Sequence, residues 1–216
     1  MSEMGDLYDA GLDEVGRLTG ELSSEQLATV VPATPEWTVR QVIAHLAGGA
    51  AGANSGRMDG APGSGWTARH VAEREDAALA DLVAELHATR AGIVASTEDN
   101  PRPAIVWNLS VHLADVHEAL GLPVLAEHLW EPVLAGVAPY RLAEVPASVR
   151  SGEDAWGSGG PVVEVGRYEL FRALFSRRSR TQMQAWGSPA LTADQLDELP
   201  VFGPRDDDQP VPGAAG

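Results

Sequence analysis

Apolar residues near the start of the chain fall at Met4, Leu7, Tyr8, Gly11, Leu12, Val15, Leu18 and Leu22. Steps of three and four draw one stripe along a helix of about five turns. The stretch 31–37 carries two prolines and reads as a loop. Thr38-Val-Arg-Gln41 then has the form of a capping box, opening a second helix with Val39, Val42, Ile43 and Leu46 inward. Gly48-Gly49 weakens that helix, and the glycine-rich segment 52–65 reads as a mobile loop. After Trp66 a long helical pattern runs through Val71, Leu79, Leu82, Val83, Leu86, Ile93 and Val94. A fourth helix spans about 104–120 and ends at Gly121 and Pro123; a fifth spans about 125–142.

The pattern changes over 146–166, where a turn-rich stretch with Gly157-Ser-Gly-Gly160 precedes Val162-Val-Glu-Val165 and predicts a small hairpin-like flap. A last helix is expected over about 166–186, with Phe171, Leu174 and Phe175 inward. The sum is mainly α: an antiparallel helical bundle over 1–145, a short β segment with an arginine-rich helix over 146–205, and a disordered tail over 206–216.

Composition narrows the chemistry. The 216 residues carry 31 acidic against 15 basic side chains, a net of -16, and every basic residue is arginine. So acidic a surface repels a phosphate backbone, which argues against nucleic-acid binding. No apolar run is long enough to span a bilayer, which predicts a cytoplasmic protein without membrane partners. There is no cysteine, so any thiol chemistry must use a thiol brought from outside. The lack of lysine beside abundant alanine, glycine and arginine suggests a GC-rich coding genome.

Six histidines are the informative set. His45 lies on the buried side of the second helix, three residues after Val42. His112 lies on the inward stripe of the fourth, four residues after Asn108 and three before Asp115. The i, i+4 spacing lets Asn108 and His112 share one ion, and bundle cores recurrently hold metals this way. The competing reading is two unrelated core histidines, each hydrogen-bonded. His70 and His87 sit among charges and read as part of a solvated face; His117 is off the Asp115 face, and His128 stands beside Glu127. Arg177 and Arg178, in an arginine-rich stretch, fit either an anion clamp for a substrate carboxylate or pairing with surface acids. Trp37 and Trp107, beside the candidate helices, are candidate pocket walls. No glycine-rich phosphate loop before a basic residue, G-x-S-x-G or H-E-x-x-H occurs.

Three segments, Pro35-Glu-Trp-Thr-Val-Arg-Gln-Val-Ile-Ala-His45, Val111-His112-Leu-Ala-Asp115-Val-His-Glu-Ala-Leu-Gly121 and Tyr168-Glu-Leu-Phe-Arg-Ala-Leu-Phe-Ser-Arg-Arg-Ser-Arg180, together resemble the mycothiol-dependent maleylpyruvate isomerase family, among the DinB-like four-helix metalloenzymes. The resemblance covers about residues 5–205. It implies an actinobacterial enzyme with a divalent metal, usually zinc, held by His45, His112 and an acid four residues before His112. Here that residue is Asn108. An amide is a neutral and weaker donor, so three outcomes stay open: Asn108 ligates anyway, Asp115 or water substitutes, or the metal is lost. The implied reaction is a mycothiol-dependent isomerisation or S-transfer, with the metal activating the thiol and Arg177 and Arg178 receiving a substrate anion. The implied partners are a small electrophilic substrate and a low-molecular-weight thiol, in a monomer or homodimer. The rivals are a metal-free relative that only binds a small ligand, and a metal-dependent hydrolase or cyclase that uses no thiol.

Overall fold

The computed structural model describes residues 2–157, 159–187 and 191–212. The chain is mainly helical and adopts the bundle expected from its periodicity, with small sheets. It divides into two compact units, one running to Leu125 and the other from Ala126 to Val211. The helix expected near 125–142 therefore folds with the second unit, although its sequence position had grouped it with the bundle.

In the first unit α1 spans Glu3–Glu21, capped by the Ser2 hydroxyl accepting from the Gly5 amide, and a short α2 follows at Ser24–Leu27. The segment expected to be a loop forms a two-stranded ribbon, β1 (Val30–Val31) and β2 (Thr34–Thr38). Pro32 occupies its turn, and a two-stranded ribbon tolerates Pro35, whose missing N–H no second neighbour requires. The Thr38 capping box is present with Gln41 and opens α3 (Val39–Ser55), which continues through Gly48 and Gly49. The expected mobile loop is thus helical to Ser55, and helix resumes at Ser64.

The long helix expected after Trp66 is three pieces: α4 (Ser64–Ala72), α5 (Leu79–Ala88) and α6 (Arg90–Ser96). Side chains hold the break between α4 and α5. Arg74 grips Glu85 through two hydrogen bonds of 2.7 and 2.6 Å, and Arg40 donates to the carbonyls of Arg74 and Ala77. At the α5–α6 junction the Thr89 hydroxyl meets Tyr8 of α1 at 3.0 Å. Then α7 spans Ala104–Ala119. The four rods are α1, α3, α5 with α6, and α7: α1 packs on α5, α6 and α7, and α3 packs on α5, α6 and α7. α4 packs chiefly on α3. Leu12, Val15, Val42, Ile43, Leu82, Leu86, Leu109 and Leu113 fill the space between them.

In the second unit a 3-10 turn (Glu127–Leu129) leads into α8 (Glu131–Leu142). The expected flap is a three-stranded sheet in the order β4-β3-β5: β3 (Ser148–Ser151) pairs antiparallel with β4 (Asp154–Trp156) and parallel with β5 (Val162–Glu164). The crossing from β4 to β5 uses the predicted glycine-rich turn, in which Gly157, Gly159 and Gly160 take positive φ; its Ser158 lies outside the described residues.

The helix expected over 166–186 is split into α9 (Arg167–Leu174) and α10 (Arg180–Gln184), followed by α11 (Ala193–Glu198). The break has two causes: Ser176 turns left-handed at φ 63°, and Ser179 restarts the helix through a capping box with Gln182. Phe171, Leu174 and Phe175 are buried as expected. The tail expected to be disordered over 206–216 is partly fixed: Gln182 donates to the Gln209 carbonyl at 2.7 Å, and Gln209 is buried. Residues 213–216 lie outside the described residues. No helix among the described residues is long and apolar enough to cross a membrane.

Candidate functional site

The first unit brings three histidines together in its interior. α3 supplies His45, α7 supplies His112 with Asn108 one turn earlier, and α4 supplies His70. His45, His70 and His112 are only 2, 2 and 5 % exposed. The ring centroids of His45 and His112 are 5.0 Å apart, nearly perpendicular. Trp37 of β2 covers both, with centroids 4.8 Å from His45 and 6.1 Å from His112. Trp107 is half-buried on α7 beside Asn108 in sequence.

Four nitrogens of these rings have polar neighbours close by. Nε2 of His45 lies 3.4 Å from the Asn108 amide, equally close to Oδ1 and Nδ2. Nδ1 of His45 lies 3.4 Å from Nδ1 of His70. Nδ1 of His112 lies 2.9 Å from a carboxylate oxygen of Asp115, whose side chain is fully buried. The approach is close but off the line of a hydrogen bond, so it does not assign the tautomer of His112.

His70 corrects the expectation of a solvated face. Of the charges around it in sequence, Glu73 is exposed and Arg69 half-buried, while the His70 ring itself points at α3. Burial, followed by the nearby guanidinium of Arg74, lowers its pKa to about 4, so the ring is neutral at pH 7. Trp66, one turn earlier, packs edge-on against it with centroids 4.1 Å apart. Gly48 explains how α4 comes so near: a Cβ there would sit 2.6 Å from the Cβ of His70. The glycine pair that weakens α3 by propensity is what admits His70 and Trp66. The Trp66-x-x-x-His70 spacing was the available signal for both residues.

The other histidines are elsewhere. His87 and His128 are exposed; His117 is buried between Glu14 and the carbonyl of Pro123. Arg177 and Arg178 belong to the second unit, beyond the end of α9. Arg178 is fully buried and grips Glu169 through Nε and Nη2 at 2.6 and 2.7 Å. Arg177 is 8 % exposed and donates to the Phe175 carbonyl at 2.7 Å.

The donor set bears on a metal in two ways. Donors about 2.0–2.1 Å from a tetrahedral zinc lie roughly 3.3–3.4 Å apart, and two ligating imidazoles have centroids roughly 5 Å apart. The His45–Asn108 and His45–His112 separations match both figures, and 3.4 Å is long for an ordinary hydrogen bond. Against this, no three His, Cys, Asp or Glu side chains converge to hold an ion among the described residues. Two separations suit an ion, while the charge of the donor set is poorer than usual for one.

Residues 8–133 match the family model described as the mycothiol maleylpyruvate isomerase N-terminal domain. The chain belongs to that family. His45, His70, Asn108 and His112 all fall inside the matched span of the maleylpyruvate isomerase N-terminal domain. No curated protein matches the chain. Two solved structures share its fold: a mycothiol-dependent maleylpyruvate isomerase and a mutant of it with one histidine-to-alanine change. Each is 13% identical, has a TM-score of 0.53, and aligns over 96% of this chain and 95% of its own.

Proposed function

We propose that this chain is a mycothiol-dependent isomerase or S-transferase whose reaction centre lies between α3 and α7, with His45, His112 and Asn108 holding a divalent ion. Family membership supports the thiol. The observation that carries the site is the His45–Asn108–His112 arrangement, whose spacing suits a tetrahedral ion. When bound, such an ion lowers the pKa of an incoming thiol and so supplies a nucleophile that the cysteine-free chain lacks. Asp115 sets a buried carboxylate 2.9 Å from Nδ1 of the His112 ring. Trp37 covers the two rings and excludes water from that side.

The substrate chemistry follows from the thiol. A thiolate adds to one carbon of an activated cis double bond, the resulting single bond rotates, and elimination returns the thiolate with the trans alkene. In S-transfer the carbon–sulfur bond is retained instead. Nε and Nη2 of Arg178 are both taken by Glu169, and Arg177 donates to the Phe175 carbonyl, all within the second unit.

One observation favours a second reading. The donors are two neutral imidazoles and an amide, with no carboxylate among them, which suits a metal-free relative that binds a small ligand. Metal analysis of protein purified without added metal or chelator decides between the two, with His45→Ala and His112→Ala as controls. About one zinc per chain, lost in both variants, supports the enzyme reading; none in the wild type leaves the ligand-binding one. Turnover that requires added thiol then separates the proposed activity from a metal-dependent hydrolase.

A further inference from the structure

We propose that the Trp37 indole is the gate of this site: it swings aside on its own side-chain bonds to admit thiol and substrate to His45 and His112, and then closes. The two histidines are only 2 and 5 % exposed, so a reagent reaches their rings only when a neighbour moves. Two neighbours of His45 compete for that movement: α4, which brings Trp66 and His70, and Trp37 of β2.

α4 is tied at both ends. Near its start Trp66 Nε1 donates to the Arg57 carbonyl at 3.3 Å, and Arg57 itself pairs with Glu73, the residue after α4, at 3.2 Å. One residue further Arg74 grips Glu85 of α5, and Arg40 of α3 donates to the carbonyls of Arg74 and Ala77. Moving α4 breaks these bonds together. Trp37 is held differently. Its backbone is fixed by the two residues that follow: the Thr38 N–H donates to Gln41 Oε1 at 2.8 Å, and the Val39 N–H to the Thr29 carbonyl at 2.9 Å. Its side chain is not fixed in this way. Among the described residues the indole makes ring contacts with His45 and His112 and no hydrogen bond. Trp37 is also half-buried where Trp66 is buried, so a change of rotamer carries the indole toward solvent and leaves the backbone in place. The cheaper movement is that of Trp37.

The gate deepens the function proposed above and rests on it for its purpose, but it is read in zinc-free protein without any turnover. Diethyl pyrocarbonate modifies accessible imidazoles, and mass spectrometry scores each histidine separately. His117, buried between Glu14 and the Pro123 carbonyl, reports opening of the whole unit. Relative to His117, Trp37→Ala should raise modification of His45 and His112 by about tenfold or more, as expected when the open state is a minor one. Trp37→Phe, a smaller cover, should fall between, and Glu85→Gln, which loosens α4, should leave the ratio unchanged. Movement is read separately, by fluorine-19 relaxation dispersion of wild-type protein carrying 5-fluorotryptophan. With signals assigned by their loss in Trp37→Phe and Trp66→Phe, microsecond-to-millisecond exchange is expected at Trp37 and not at Trp66. A Trp37 signal without exchange, or a Glu85→Gln protein whose His45 reacts as fast as that of the Trp37 variants, overturns the inference. Should Trp37→Ala fail to fold, Trp37→Phe and the wild-type spectra decide it. A gate that behaves as expected in a protein that takes up no zinc and turns over no thiol overturns the functional reading and leaves the gate standing.

Discussion

Glu14 on α1 and His117 on α7 meet at 2.9 Å between Oε1 and Nε2, and the same imidazole donates through Nδ1 to the Pro123 carbonyl at 2.8 Å. Three segments of the first unit are tied by one ring. The Glu14 carboxyl is held below its ordinary value of 4.5, first by its hydrogen bond to Arg17 and also by His117. A lowered carboxyl pKa stabilises the fold above the unfolded value, and that contribution is lost as pH falls through the folded one. The stability of the chain should therefore drop on acidification below pH 4.5 partly through this residue. Glu14→Gln should cost about 1 kcal/mol at pH 7 and converge with the wild type in acid. Chemical denaturation at pH 7, 5 and 3 checks this; a gap that stays constant assigns the loss to other carboxylates.

Two glycines should respond to alanine in opposite directions. Gly16 lies within α1, and a Cβ there meets nothing within 4 Å, so Gly16→Ala should gain about 0.5–1 kcal/mol from helix propensity alone. Gly48 gains the same propensity but places a Cβ 2.6 Å from His70 Cβ and 2.7 Å from Arg74 Nη1. Overpacking of about 1–3 kcal/mol should outweigh the gain. Melting temperatures of the two variants should move apart, and a stabilised Gly48→Ala would mean that α4 yields easily.

The bundle was legible because its signals are local. The Thr38–Gln41 capping box and the inward stripes of α3 and α7 are carried by neighbouring residues, and they placed His45 and His112 on facing helices before any contact was known. His70 was illegible because charges flank it and because its face is set by Gly48 on another helix, a long-range packing fact. The β1–β2 ribbon was hidden by its prolines, which suit a turn and an edge but read as loop. The end of α9 could have been read: Ser179 and Gln182 have capping-box spacing, and the apolar stripe through 183 masked it.

Arg178 and Glu169 form a bidentate pair in which the guanidinium is fully buried and the carboxylate 28% exposed. Arg178→Ala removes the cation and leaves the carboxylate without it, which should cost about 2–4 kcal/mol. Arg178→Ala together with Glu169→Ala should recover part of that loss. A variant of unchanged melting temperature that raises KM for an anionic substrate would instead return Arg178 to the substrate contact.

Asn108 is where this chain departs from the acid expected four residues before His112, and Asn108→Asp should tighten zinc binding. The amide oxygen offers only a dipole to a dication, whereas a carboxylate in the same place adds a full opposite charge within bonding distance. Even after the cost of desolvating the carboxylate, a gain of about tenfold or more in affinity is expected. The same change has a cost without the ion. The new charge would stand beside His45 with no cation to neutralise it, so the zinc-free variant should melt below the wild type. Adding zinc should then raise the melting temperature of the variant by more than that of the wild type, because the shift follows the affinity for the folded state. Competition against a chelator at pH 7.5 measures the affinity, and thermal melts with and without zinc measure the coupling. Affinity that is unchanged or weaker, with equal thermal shifts, would remove residue 108 from any metal site and leave its amide as a partner of His45 alone.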